Sequence, residues 1–409
     1  MKNMEVALAP DSNVMELERA YLLQNYARYP LVLKRGRGCW LYDVAGRRYL
    51  DLISGIGVNS LGHAHPRIVR VIREQAALLV HSSNLYYHEF QGPLAKKICE
   101  ASGMQRVFFC NSGTEAVEAA IKMARAHGRR VHPEKFELVA FDNSFHGRTM
   151  GALSITAQAK YREPFEPLLA GVRFVPPADM AALEAAVTDR TAGIFIEPIQ
   201  GEGGIYPMSG AFLRKLRELA DRHNALLVFD EIQCGIGRPG AWHAYQLHEP
   251  PVIPDIVTLA KPMAAGLPLG AVACNEKAAS TIGPGLHGTT FGGGALACRV
   301  ALEFYSIVEE LLPQIRRVGE YFFAGLRELQ SAFPFIREVR GAGLMIGVEL
   351  DFPCKHLVND GIRNGLLFNV THDRVIRMLP PYILTEKEAD RALAGLRRVL
   401  RNAKPPSEA

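Results

Sequence analysis

The chain has 409 residues, 48% of them hydrophobic and 22% charged, with a formal net charge of +5. Those proportions exclude a disordered chain, and at ~100–200 residues per domain the length predicts about two or three domains with a large core. No run reaches the ~18 apolar residues of a membrane helix, and Lys and Arg form no block of the kind nucleic acid attracts, so neither a membrane nor a nucleic-acid partner is expected. Met1 to Pro10 holds no apolar stretch, which predicts no signal peptide. The seven cysteines are odd in number and include no CxxC pair. Reduced thiols in a cytoplasm fit them better than a zinc knuckle or a disulfide scaffold. The mild positive balance suits anionic small molecules.

In chain order, Val14 to Tyr26 has apolar residues at helical spacing. Leu31 to Leu41 and Arg48 to Ile53 read as strands, with Asp43-Val44-Ala45-Gly46 as a turn. Pro66 suits the first turn of a helix over Ile68 to Leu79. Val107 to Cys110 is a short buried strand, followed by a helix from about Glu115 to His127. Further apolar runs are Leu138–Phe141, Gly193–Ile196, Leu226–Phe229, Ile256–Leu259 and Gly270–Ala273. They are unbroken rather than alternating, as in strands buried on both faces, and helical segments between them predict a largely parallel α/β sheet. Past a helix over Leu296 to Glu310 the texture changes. Strands at Gly343–Leu350, Leu366–Asn369 and Val375–Met378 mix with helices near Leu312–Leu329 and Glu386–Leu400. The expected division is a large domain over 61–310 and a smaller α+β domain over 311–409, to which 1–60 contributes. Pro405 to Ala409 reads as a frayed tail.

Three places carry chemistry. Cys110-Asn111-Ser112-Gly113-Thr114-Glu115 ends a strand and opens a helix, where backbone N–H groups and hydroxyls suit a phosphate; alone it is equally an ordinary helix cap. Asp230 ends a buried strand, where open α/β sheets bind ligands; alone it is a solvated acid. Lys261 follows another buried strand, 31 residues after Asp230. An apolar setting lowers a lysine's pKa and makes it a nucleophile, although a snorkelling surface lysine reads the same way. Together the three match what pyridoxal phosphate needs: an anchor for its phosphate, a lysine for its aldehyde and a carboxylate to keep its ring nitrogen protonated.

The chain resembles the class III aminotransferases of the fold type I pyridoxal-phosphate enzymes, over about Tyr26 to Leu400. The motifs are Leu61-Gly62-His63-Ala64-His65-Pro66, Ser112-Gly113-Thr114, Phe145-His146-Gly147-Arg148-Thr149, Glu197-Pro198-Ile199-Gln200-Gly201-Glu202-Gly203, the Asp230 run, Lys261 and His287-Gly288-Thr289-Thr290-Phe291-Gly292. Within the family it is most similar to members acting on N-acetylornithine. The resemblance implies a large domain with a mostly parallel seven-stranded sheet, a smaller α+β domain, and a homodimer with its active sites at the subunit interface. It implies that pyridoxal phosphate is held by Lys261 at its aldehyde and by Asp230 at its ring nitrogen, with Gln233 near its hydroxyl. Ser112, Gly113 and Thr114 would hold its phosphate, and Phe145 would stack on its ring. Arg148 would bind a substrate carboxylate, and Tyr26 would stand near it. Thr290, with Thr289 beside it, would reach the site of the other subunit. Glu202 would mask Arg377 while the ω-amine reacts, then release it to grip the α-carboxylate of glutamate. The implied substrates are an ω-amino acid such as N-acetylornithine and 2-oxoglutarate, in arginine biosynthesis. Succinylornithine, an acylated lysine-pathway amine, 4-aminobutyrate and ornithine are alternative donors, and an aminomutase is an alternative reaction.

Some residues resist or qualify this. His63 and His65 have an HxH spacing, but no third ligand completes a metal site, and a structural turn is expected. Gly235-Ile236-Gly237-Arg238-Pro239-Gly240 matches GxGxxG after a strand, yet Pro239 sits badly inside the helix a dinucleotide site requires. The family pattern is broken by Pro262 after the lysine, Gly294-Ala295 in place of Asn-Pro, and Cys234 in place of Thr. Relatives taking free ornithine tend to carry a tyrosine near Ile56, so its absence points to an acylated or uncharged amine tail.

Overall fold

Short apolar runs flanked by polar loops build the central sheet of the computed structural model, which describes residues 11–404; the readings placed on Met1–Pro10 and Pro405–Ala409 lie outside the described residues. Seven strands lie in the spatial order Arg106–Cys110, Gly270–Cys274, Ile256–Leu259, Leu226–Asp230, Thr191–Ile196, Glu137–Phe141 and Val172–Val175. Gly270–Cys274 is antiparallel to both its neighbours, and the other strands all run one way. The central strands are buried along their whole length because helices cover both faces. The helix Gly113–Val131 packs on them through Ala116, Ala120 and Ala124, small residues that let it approach closely. This is the expected α/β fold. Among the described residues no helix is long and apolar enough to cross a membrane.

Two smaller sheets draw on both chain ends. Leu33–Arg37, Trp40–Asp43 and Arg48–Asp51 form a meander, and Leu366–Leu367 adds parallel to Arg48–Asp51. Ile336–Ala342, Met345–Leu350, Val375–Met378 and Asn369–Thr371 form the other, all antiparallel. So the strand expected over Leu366–Asn369 divides between two sheets, with buried Phe368 at the crossing.

Several boundaries differ from expectation. The strand expected over Leu31 to Leu41 is a hairpin, because Gly38 adopts φ 57° and reverses the chain. The first helix ends at Tyr21, not Tyr26, where the Gln24 side chain donates to the Leu22 and Glu18 carbonyls and caps it. The two helices expected around residue 311 are one, Ala295–Ala332. Its apolar stripe keeps phase from Phe304 and Val308 to Ile315 and Phe322. Pro313 lies on the exposed side, where water can satisfy the carbonyl left without an amide. Strands Val172–Val175 and Ile336–Ala342 are not expected from the sequence, because each mixes Arg or Glu into its apolar pattern.

Candidate active site

Parallel strands deliver their C-terminal ends to one edge of the sheet, and the polar residues that follow them converge there. Asp230 ends Leu226–Asp230, Lys261 lies two residues past Ile256–Leu259, Glu197 follows Thr191–Ile196, and Asn111 follows Arg106–Cys110. Between them is a cavity of about 430 Å³. Of the expected site residues, Ser112, Gly113, Thr114, Phe145, Arg148, Asp230, Gln233 and Lys261 all line it.

Ser112 is the N-cap of Gly113–Val131, its hydroxyl accepting from the Glu115 amide at 3.4 Å. The amides of Gly113 and Thr114 find no acceptor among the described residues and are free for an anion at the helix N-terminus. The Thr114 hydroxyl accepts from the amides of Arg148 at 3.3 Å and Thr149 at 3.2 Å, tying the Phe145–Thr149 loop to that helix start. The Arg148 guanidinium is exposed and lies 3.7 Å from the centre of the Tyr161 ring.

Asp230 is buried, and its Oδ2 lies 2.8 Å from Nδ1 of His146. Burial opposes a charge on His146, but the hydrogen bond and charge of Asp230 outweigh it and raise the imidazole above its ordinary value. Burial lowers the Lys261 pKa, against the opposing pull of Glu202 and Asp230. Burial pushes the Glu197 carboxyl up to about 7, against the pull of His146. Glu197 accepts from the amides of Phe145 at 2.9 Å and Gly201 at 2.8 Å, and so joins two loops of the site. The spacing assigned no role to His146 or Glu197. Glu197 carried a usable signal, since it follows an apolar strand as Asp230 ends one; His146 carried none, because its partner is 84 residues away.

Glu197 makes a pH prediction. Its folded pKa lies above the ordinary 4.5, so its contribution to stability is complete below that pH and is lost as pH rises through about 7. Glu197→Gln should flatten the dependence of Tm on pH between about 5 and about 7.5 in calorimetry. A slope equal to that of the wild type contradicts this.

Glu202 and Arg377, 175 residues apart, meet beside the lining residue Gln233: Arg377 Nη1 is 2.5 Å from Glu202 Oε1 and 3.1 Å from Gln233 Oε1. Arg377 is fully buried, with Nε donating to Asn369 Oδ1 at 3.1 Å. Burial would raise the Glu202 carboxyl, but Arg377 outweighs it and holds it below the usual range. Five expected residues do not line the cavity of their own chain: Glu202 and Arg377, which reach it through Gln233, and Tyr26, Thr289 and Thr290. Tyr26 and Thr290 are exposed, and Thr289 Oγ1 accepts from Nδ2 of the lining residue Asn111 at 3.0 Å.

The sequence departures fit locally. Pro262 sits in a turn closed by the Met263 amide on the Ala260 carbonyl, which needs no N–H at 262. Gly294 and Ala295 occupy the N-cap and first turn of the long helix, where Gly is tolerated. Cys234 Sγ lies 3.3 Å from Glu231 Oε2. His63 Nε2 pairs with Asp51 Oδ2 at 2.8 Å, and the Gly235–Gly240 stretch is a series of turns with no helix.

The family model described as Aminotransferase class-III matches residues 21–400. The chain is 46% identical to the acetylornithine aminotransferase of Methanocaldococcus jannaschii over 96% of its own length and 99% of that protein's. Among solved structures, an ornithine aminotransferase from Toxoplasma gondii with partial occupancy of pyridoxal phosphate in its active site matches with a TM-score of 0.92 and 34% identity, covering 97% of this chain and 95% of that one. An acetylornithine aminotransferase from Elizabethkingia anophelis matches with a TM-score of 0.85 and 32% identity, covering 97% and 100%. The chain belongs to the class III aminotransferases, which are pyridoxal-phosphate enzymes.

Proposed function

We propose that the chain transfers the terminal amine of N-acetylornithine, or of a similar ω-amino acid, to 2-oxoglutarate, giving the semialdehyde and glutamate in arginine biosynthesis. The observation that carries this reading is the pair of half-buried Glu202 and fully buried Arg377, joined through Gln233 to the cavity that Lys261 lines. A transaminase of this kind must accept a donor with one carboxylate and an acceptor with two. An arginine that a carboxylate can mask and release meets both demands. The choice of donor is supported by the 46% identity to a protein named for acetylornithine and by Ile56, beside cavity-lining Val58, where ornithine-specific relatives carry tyrosine.

The donor set fits pyridoxal phosphate. The unpartnered amides of Gly113 and Thr114 suit its phosphate, and buried Asp230 suits a protonated ring nitrogen. The volume is in the range of small-molecule sites. When bound, the cofactor supplies an electron sink for the carbon that bears the reacting amine. In this reading Lys261 would hold the aldehyde and then move the proton, a task that its lowered pKa suits. Asp230, supported by His146, would keep the ring nitrogen protonated. Ser112, Gly113 and Thr114 would hold the phosphate, Phe145 would stack on the ring, and Gln233 would lie near the hydroxyl. Arg148 grips a substrate carboxylate in a planar fork. Glu202 keeps Arg377 neutralised until an acceptor with a second carboxylate displaces it.

The same reading takes 61–310 as the cofactor domain and joins 1–60 to 311–409. The pairing of Arg48–Asp51 with Leu366–Leu367 supports this. It also takes the protein as a cytoplasmic homodimer. Leu85, Tyr86 and Phe291 are 83%, 72% and 70% exposed in neighbouring loops joined by Asn84 on the Gly292 carbonyl, an apolar surface that monomers seldom leave open. It borders Thr289 and Thr290, which would complete the partner's site; Tyr26 would then approach a substrate carboxylate. The test is kcat/KM with 2-oxoglutarate as acceptor. N-Acetylornithine is expected to exceed ornithine by at least ~10-fold, because an apolar pocket penalises a second, unpaired ammonium. A preference for ornithine contradicts the choice of donor.

A further inference from the structure

The Glu202 loop lies across one face of the small sheet, over a row of directly opposed residues. Arg340 is paired with Gly347, Gly347 with Arg377, and Arg377 with Asn369. Residues opposite one another in adjacent strands share a face, so the two arginines flank Gly347. The loop touches the row at each position. Glu202 pairs with Arg377. Ile205 packs over Gly347, where a Cβ would come within 2.9 Å of its own Cβ. Gly204 accepts from Arg340 Nε at 3.0 Å and Nη2 at 2.7 Å, and the Ile205 carbonyl accepts from Nε at 3.1 Å. Arg340 is itself fixed. Nη1 reaches Glu338 at 2.7 Å and Glu349 at 2.5 Å, and the guanidinium lies 3.6 Å from the Tyr206 ring centre. The loop needs such a hold, because Ile205 carries φ 58°, a region a β-branched residue avoids. The Thr371 hydroxyl donates to the Glu202 carbonyl and secures its other end.

We propose that Arg340 is a positioning residue for substrate selection: it pins the Gly204–Ile205 backbone to the sheet row so that Glu202 stays in register with Arg377. With the backbone held at both ends, unmasking is confined to rotation of the Glu202 side chain. Arg340 thereby sets the fraction of Arg377 that is free, and so the balance between a donor with one carboxylate and substrates with two. Lysine cannot substitute, since one ammonium cannot reach two carbonyls and two carboxylates in a fixed fork. The proposal rests on the reading of Glu202 and Arg377 as the selectivity pair.

The test uses purified holoenzyme and glutarate, a dicarboxylate without an amine, as the probe, with its Kd measured by calorimetry beside kcat/KM for N-acetylornithine and for glutamate. Glu202→Gln should bind glutarate about tenfold tighter, and Arg340→Lys roughly fivefold tighter, because apparent affinity scales with the free fraction of Arg377. Arg340→Lys should also lower kcat/KM for N-acetylornithine relative to glutamate. The double variant should match Glu202→Gln alone, since Arg340 acts through Glu202. Gly347→Ala keeps every charge and lifts Ile205 off the row; it should shift glutarate affinity in the same direction and serves if Arg340→Lys does not fold. If Glu202→Gln shifts glutarate affinity while Arg340→Lys and Gly347→Ala change only Tm, Arg340 is merely structural and the proposal is overturned alone. If Glu202→Gln leaves glutarate affinity unchanged, the selectivity pair itself fails and the proposal falls with it.

Discussion

Lys261→Ala is expected to lower kcat for glutamate formation by at least ~10⁴-fold, the upper range for a general acid–base group. The lysine lies in the cavity wall two residues past a fully buried strand, and burial lowers its pKa. No other lysine lines the cavity, and His146 is fully buried and committed to Asp230. Glu197, the lining carboxyl raised to about 7, has its two oxygens engaged by the amides of Phe145 and Gly201. Lys261→Arg should be no better, because a guanidinium does not give up its proton. Folding should survive, since the side chain bridges no elements. A Lys261→Ala enzyme with a Tm near that of the wild type and kcat within tenfold of it would contradict the mechanism.

Asp230→Asn is expected to cost ~10²–10³ in kcat, the scale for removing one preorganised electrostatic partner. Asp230 is 4% exposed and carries the hydrogen bond and charge that raise the His146 pKa. Asparagine leaves the shape and removes the charge. His146 then loses the influence that opposes its burial, so its pKa falls and the pair can no longer favour a proton on a ring nitrogen. The affinity for pyridoxal phosphate should fall in parallel, measured by reconstitution of the apoenzyme. Activity within about threefold of the wild type would show that the Asp230 charge has no catalytic use.

The central sheet was legible because strands buried on both faces must be apolar throughout, and five such runs stand out between turn residues. The same logic located Asp230 and Lys261, since strand ends in a parallel sheet meet at one edge. What was hidden depends on long-range pairing. Glu202 and Arg377 meet across 175 residues, and only family resemblance brought them together beforehand. The row of Arg340, Gly347 and Arg377 is set by strand register, which the alternation of single strands does not encode across partners. His146, five residues past Glu137–Phe141, meets Asp230 at the end of Leu226–Asp230 across the intervening strand Thr191–Ile196. At the level of elements, Gly38 turned an apparent strand into a hairpin, and an exposed Pro313 left a helix unbroken where a proline suggests a stop.

The most direct test of the central claim follows the nitrogen. The holoenzyme would be incubated with N-acetylornithine labelled with ¹⁵N at its terminal amine, together with 2-oxoglutarate, and the products read by mass spectrometry. The account predicts label in glutamate in a one-to-one ratio with semialdehyde formed. Turnover of the donor with the label retained in an isomer, or glutamate without label, would contradict transfer of the ω-amine to 2-oxoglutarate.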